Sequence, residues 1–311
     1  MLRICSPSLA EVRLVRRVVV SLLVTGLIVV FRLVLPVIYV LAPILAWQGI
    51  RVKATVPRFP EAAEPEGITP GDLSPAMRLT VLGESTAAGV GVERHRDGLA
   101  GHLAAAVAGL TGREVQWRVV ARPGATARAA LREFVPRLRD GGWSPDVVVV
   151  ALGVNDLLRM RRPRIFQRDM HRLARGIQRE LGPVSVVLTG LPPMRRLLIL
   201  PQPLRAVIAL RARALDLGLR RVAARVPDVR YVPFDLPAWP PGSEEWVFAA
   251  DRFHPSSEGY RGWAEIVADD VALVAREVLS RPDGLGRPGG LSQPGGLSQP
   301  GGLSQPGGAP R

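Results

Sequence analysis

Cysteine is almost absent from this chain: its 311 residues include one, Cys5. A disulfide-stapled scaffold and a cysteine-rich zinc module are therefore excluded. Histidine is nearly as scarce. His95, His102, His171 and His254 stand far apart, with no HxH or HxxxH pair, so a histidine-based metal site is not expected. Lysine occurs once, at Lys53, and the rest of the 41 basic residues are arginine, against 27 acidic ones. The net charge of +14 would suit nucleic acid or anionic lipid. No helix-turn-helix spacing, zinc-finger spacing or aromatic RNP-like run accompanies it, so nucleic acid is not an expected partner. A solvated arginine surface accounts for the charge on its own. The hydrophobic share of 47% is enough for a core and rules out wholesale disorder.

The chain divides by composition. Residues 1–17 are a basic N-terminus. Residues 18–50 carry a single charge, Arg32, and Leu33–Ile50 alone gives 18 uncharged residues. A spanning helix needs about 20, range 17–25, so this segment is expected to be a membrane anchor. Tyr39 and Trp47 would be its interfacial aromatics. The arginines before it mildly favour a single span with the main domain on the exported side of the cell membrane; a hairpin broken near Arg32 and Pro36 would keep that domain cytoplasmic. Residues 51–76 hold Pro57, Pro60, Pro65, Pro70 and Pro75 and read as an extended linker. Residues 281–311 repeat Pro-Gly-Gly-Leu-Ser-Gln three times from Pro288. One leucine in six residues builds no core, so this reads as a disordered tail.

Between them, residues 77–280 form one expected domain. Apolar strands are predicted at Arg78–Leu82, Val115–Ala121, Asp146–Leu152, Val184–Thr189 and Val229–Phe234. Helical periodicity covers Arg96–Leu110, Thr126–Leu138, Pro163–Leu181, Leu204–Val226 and Ser257–Leu279. The uninterrupted Val147–Val150 run is what a strand buried on both faces requires. The expected fold is α/β: three layers, with a five-stranded parallel sheet between helices. Sites in such folds form beyond the carboxyl ends of the strands.

Four of those strand ends carry chemistry. Ser85 follows the first strand in Gly83-Glu84-Ser85. Alone it suits a turn or helix cap; at a strand mouth with small neighbours it suits a nucleophile. Gly124 follows the second strand, where its N–H can face an anion. Asn155 follows the third in Gly153-Val154-Asn155-Asp156 and offers an amide donor, though Asn-Asp also suits an Asx turn. Asp251 and His254 follow the fifth, spaced so that a carboxylate can reach the imidazole and fix its tautomer. Together they supply nucleophile, base, orienter and oxyanion donors.

These blocks resemble the SGNH (GDSL-like) hydrolase superfamily, in its order and strand context, from Leu79 to about Glu265. The resemblance implies a flavodoxin-like three-layer fold and ester or thioester hydrolysis by a serine nucleophile without a cofactor. It assigns Ser85, Asp251 and His254 as catalytic residues, and Ser85, Gly124 and Asn155 as the oxyanion hole. Thr189-Gly190-Leu191-Pro192-Pro193 resembles the family's proline loop. Glu84 departs from the usual Gly-Asp-Ser. The expected substrate is a small or lipid-like acyl ester, because the Leu197–Leu200 run and Arg159, Arg161, Arg162 and Arg164 lie near the same strand ends. A non-catalytic binding scaffold and an acyltransferase are the alternative readings.

Overall fold

The valine run is a central strand, and its burial explains its composition. The computed structural model describes residues 40–55, 57, 59–234 and 244–280. Its strands are β1 (Glu66–Thr69), β2 (Leu73–Gly83), β3 (Arg113–Ala121), β4 (Val147–Ala151), β5 (Ser185–Thr189) and β6 (Val229–Val232). Its helices beyond residue 55 are α1 (Leu99–Thr111), α2 (Ala127–Glu133), α3 (Val154–Leu158), α4 (Pro163–Leu181), α5 (Leu204–Ala223), α6 (Glu244–Val247) and α7 (Ser257–Leu279). Short 3₁₀ turns intervene.

The strands form one sheet in the order β1-β3-β2-β4-β5-β6. Neighbours from β3 to β6 are parallel, with Val81 beside Val119 on one side and Val149 on the other. Alternate valines of β4 face opposite layers. Val148 and Val150 pack with α2, α4 and α5, whereas Val147 and Val149 pack with α1 and α7. Neither face is left for polar residues, so alternation disappears and a continuous apolar run remains. Burying a side chain of this size is worth about 1.5–3 kcal/mol, so each valine of the run helps to hold the sheet between its two helical layers.

The expected five-stranded parallel sheet is corrected, among the described residues, to six strands and a mixed sheet. Strand β1 pairs antiparallel with β3, from Glu66 opposite Arg118 to Thr69 opposite Val115. It lies inside the segment read as a linker, as does the start of β2. Pro65 and Pro70 flank β1 rather than interrupt it, so neither removes a donor from within the strand.

The anchor reading falls largely on residues 1–39, outside the described residues, as do the tail from residue 281 and residues 235–243. Residues 40–55 are helical. Among the described residues no helix is long and apolar enough to cross a membrane. Gln48 of this helix is buried; its Nε2 donates to the Gln202 carbonyl at 2.7 Å, and its Oε1 accepts from the Leu204 N–H at 3.2 Å. The helix is thereby fastened to the loop between β5 and α5.

Gly67 of β1 lies flat against Trp117 of β3, where an added Cβ would come 2.2 Å from the ring atom Cζ2. Trp117 is buried in the core and has little room to yield. Gly67→Ala should therefore lower stability by about 1–3 kcal/mol, the usual cost of overpacking. An unchanged urea midpoint would show that β1 does not pack as described.

Candidate active site

The site grows from the end of β2. There the chain leaves the sheet through Glu84 and turns, with the Ala88 N–H bonded to the Glu84 carbonyl and the Val90 N–H to the Ser85 carbonyl. Ser85 is left half-buried at the carboxyl edge of the sheet. The Asp251–His254 turn comes in from the segment before α7. The Asp251 side chain organises that turn itself: Oδ1 accepts from the backbone N–H groups of Phe253 and His254, both at 2.9 Å. Arg252 between them has φ +55°, left-handed geometry for a side-chain-bearing residue. Oδ2 of Asp251 lies 2.6 Å from His254 Nδ1, and His254 Nε2 lies 3.0 Å from Ser85 Oγ.

The electrostatics follow from these contacts. Burial pushes the Asp251 carboxyl up, but the His254 ring and the two N–H groups outweigh it and hold it below the ordinary value. An ionised Asp251 keeps the proton on Nδ1 and leaves the Nε2 lone pair toward Ser85, the arrangement a general base needs.

Glu84 faces the other way. It is 2% exposed and accepts four hydrogen bonds from the turn after β4. Oε1 takes the N–H groups of Gly153 at 2.9 Å and Val154 at 2.7 Å. Oε2 takes the Asn155 N–H at 2.8 Å and the Asn155 side-chain amide. Burial pushes Glu84 up to about 7; the Asn155 and Val154 N–H groups oppose the shift and the charge of Asp156 adds to it. Asp156 is itself buried and accepts from the Ala127 N–H at 2.9 Å, joining the start of α2 to the turn of Asn155. Gly124, in the turn just before α2, has φ +79°, and its carbonyl accepts from Arg159 Nη2 at 3.0 Å.

Thus Ser85, His254 and Asp251 are joined by hydrogen bonds, while Gly124 and Asn155 stand on the turns after the two strands flanking β2. The apolar cavity beside the site and the arginine-lined cleft were not read from the sequence. Phe234, Val247, Phe253 and Trp263 line an apolar cavity beside Ser85 and His254, with a volume of about 60 Å3. They come from separate segments and form no motif. The Leu197–Leu200 run divides: Leu197 lines the cavity, Leu200 is buried and Leu198 is exposed. Of the arginines expected to meet head groups, Arg161 instead pairs with Asp156 and Asp169, and Arg159 holds Gly124. A larger cleft of about 490 Å3 lies between α4 and α5, away from this site, lined by Arg164, Arg168, Arg172, Arg221 and Arg225 with His171.

Residues 81–261 match the GDSL-like lipase/acylhydrolase family. The chain belongs to that family. The matched stretch contains Ser85, Gly124, Asn155, Asp251 and His254. It is 28% identical over 213 residues to the GDSL-like esterase Rv1075c of Mycobacterium tuberculosis, covering 66% of this chain and 63% of that protein. The crystal structure of TesA is similar over 64% of this chain and 99% of its own, at 25% identity and TM-score 0.50. A family 3 carbohydrate esterase from Clostridium thermocellum shares the fold, at 17% identity and TM-score 0.50, over 65% of this chain and all of its own.

Glu84 makes stability pH-dependent in a defined direction. Its ordinary value is 4.5 and its folded value about 7, so between these the folded protein holds a proton that the unfolded chain has released. Its contribution is complete below pH 4.5 and is lost as pH rises through about 7. The unfolding free energy of the wild type relative to Glu84→Gln should therefore fall over that interval. A flat difference would place the Glu84 ionisation elsewhere.

Proposed function

We propose that the protein is a membrane-anchored serine esterase that works through an acyl-enzyme formed on Ser85. The observation that carries this reading is the unbroken Asp251–His254–Ser85 hydrogen-bond chain opening onto an apolar cavity. In this mechanism His254 Nε2 takes the Ser85 proton as Oγ attacks the ester carbonyl. Asp251 stabilises the imidazolium. The N–H groups of Ser85 and Gly124 and the Asn155 amide receive the oxyanion. His254 then protonates the departing alkoxide, and water enters by the same base to release the acid.

The acyl group lies along Phe234, Phe253 and Trp263. At about 30 Å3 per water molecule, a cavity of about 60 Å3 has room for roughly two water-sized groups, which favours a short acyl chain. The anchor reading draws support from the apolar sequence of residues 18–50. The helix of residues 40–55 adds exposed Val40, Trp47 and Ile50. The substitution of Glu84 for aspartate, which would favour a non-catalytic scaffold, leaves the hydrogen-bond chain to Ser85 complete.

A fluorophosphonate probe applied to cells expressing the full chain should label it on Ser85 and sediment with membranes. Labelling that survives Ser85→Ala would remove the mechanism, and label recovered in the soluble fraction would remove the anchor. Across a chain-length series, acetyl to butanoyl esters should exceed dodecanoyl esters in kcat/KM. A monotonic rise with length would show that the cavity does not set acyl preference.

A further inference from the structure

Asn155 is the sole asparagine in the chain, and its side-chain amide is already engaged by Glu84. The amide carries two hydrogens in one plane. With one of them fixed on Glu84 Oε2, the direction of the other is fixed as well. The backbone of the same residue donates to the same oxygen, and the two preceding N–H groups donate to Oε1. All four lone-pair directions of the carboxylate are therefore used, and all four donors belong to the turn that carries Asn155.

We propose that Glu84 is the positioning residue of the oxyanion hole, holding the Asn155 amide so that its second hydrogen is presented to the substrate oxygen. This rests on reading Ser85, His254 and Asp251 as an esterase site. An asparagine amide otherwise turns easily about its last side-chain bond, because that torsion is broad and roughly two-fold. Electrostatic stabilisation of an oxyanion depends on donors that do not have to reorganise during reaction. Glu84 supplies that fixity from the residue adjacent to the nucleophile, so one side chain ties the nucleophile's turn to the turn of an oxyanion donor. A shorter aspartate, as in the family's usual Gly-Asp-Ser, reaches less far into the turn. Glutamine has the right length but brings an N–H₂ group against a turn that offers only donors.

The test uses the full chain with ¹⁵N-asparagine, which gives a single side-chain amide signal. It compares wild type, Glu84→Gln, Glu84→Asp, Asn155→Ala and the double variant Glu84→Gln with Asn155→Ala. The amide signal should move in Glu84→Gln, and less in Glu84→Asp. Loss of one oxyanion donor costs about 10²–10³ in kcat, so its misdirection by Glu84→Gln should cost about 10–10², with KM within about twofold. Glu84→Asp should recover part of that loss. The double variant should be no slower than Asn155→Ala alone, because the two residues act as one unit. Additive losses in the double variant, or an unmoved amide signal in either folded Glu84 variant, overturn the proposal. If Glu84→Gln does not fold, Glu84→Asp carries the same spectroscopic reading. Hydrolysis that persists in Ser85→Ala removes the esterase reading, while the amide signal still decides whether Glu84 holds Asn155.

Discussion

The buried carboxylate of Glu84 fastens the end of β2 to the turn that follows β4. Parallel strands bring their carboxyl ends to one edge, but the turns beyond them have no ladder to hold them. The first N–H groups of a helix also have no partner within it, and here three consecutive ones converge on Glu84. The price of burying that charge is visible in its raised affinity for a proton. What results is a rigid joint between the residue next to the nucleophile and the turn that carries Asn155. Asp156 extends the joint to the start of α2. Two adjacent carboxylate-bearing turns therefore arrange three strand ends, and the Asp251 turn needs only to deliver His254 to the serine.

Much of this is legible in the amino-acid sequence, for identifiable reasons. The five parallel strands announced themselves because a sheet covered on both faces must be apolar at every position, as in Val147–Val150. Ser85, Gly124, Asn155, Asp251 and His254 could be grouped because a parallel sheet collects its strand ends on one side. Strand β1 was hidden by its own context: four residues between two prolines, half of them exposed, resemble a linker. The role of Glu84 was hidden because its donors are backbone groups about seventy residues away, and backbone groups leave no mark in a sequence. The cavity was hidden for a related reason, since Phe234, Val247, Phe253 and Trp263 are ordinary apolar residues until the fold brings them together.

The arginines show how local contacts decide what a charged residue does. Arg159, Arg161 and Arg164 lie within six residues of one another and were open to a single interpretation as head-group contacts. In the fold they separate. Arg159 holds the Gly124 carbonyl, Arg161 bridges Asp156 and Asp169, and Arg164 turns into the cleft between α4 and α5. Two of the three are thus committed to the turns that build the site.

The attachment of Gln48 has a mechanical consequence. One amide, through a bond to the Gln202 carbonyl and another from the Leu204 N–H, links the helix of residues 40–55 to the loop between β5 and α5. That loop carries Met194 and Leu197 into the wall of the cavity beside Ser85. Val52 of the same helix packs against the core, while both Gln48 bonds meet the chain at the end of that loop and the first turn of α5. The N-terminal helix is thus joined by hydrogen bonds to the cavity wall and not to the turns that carry Ser85, His254 and Asp251, so a change in its position would reach the wall first.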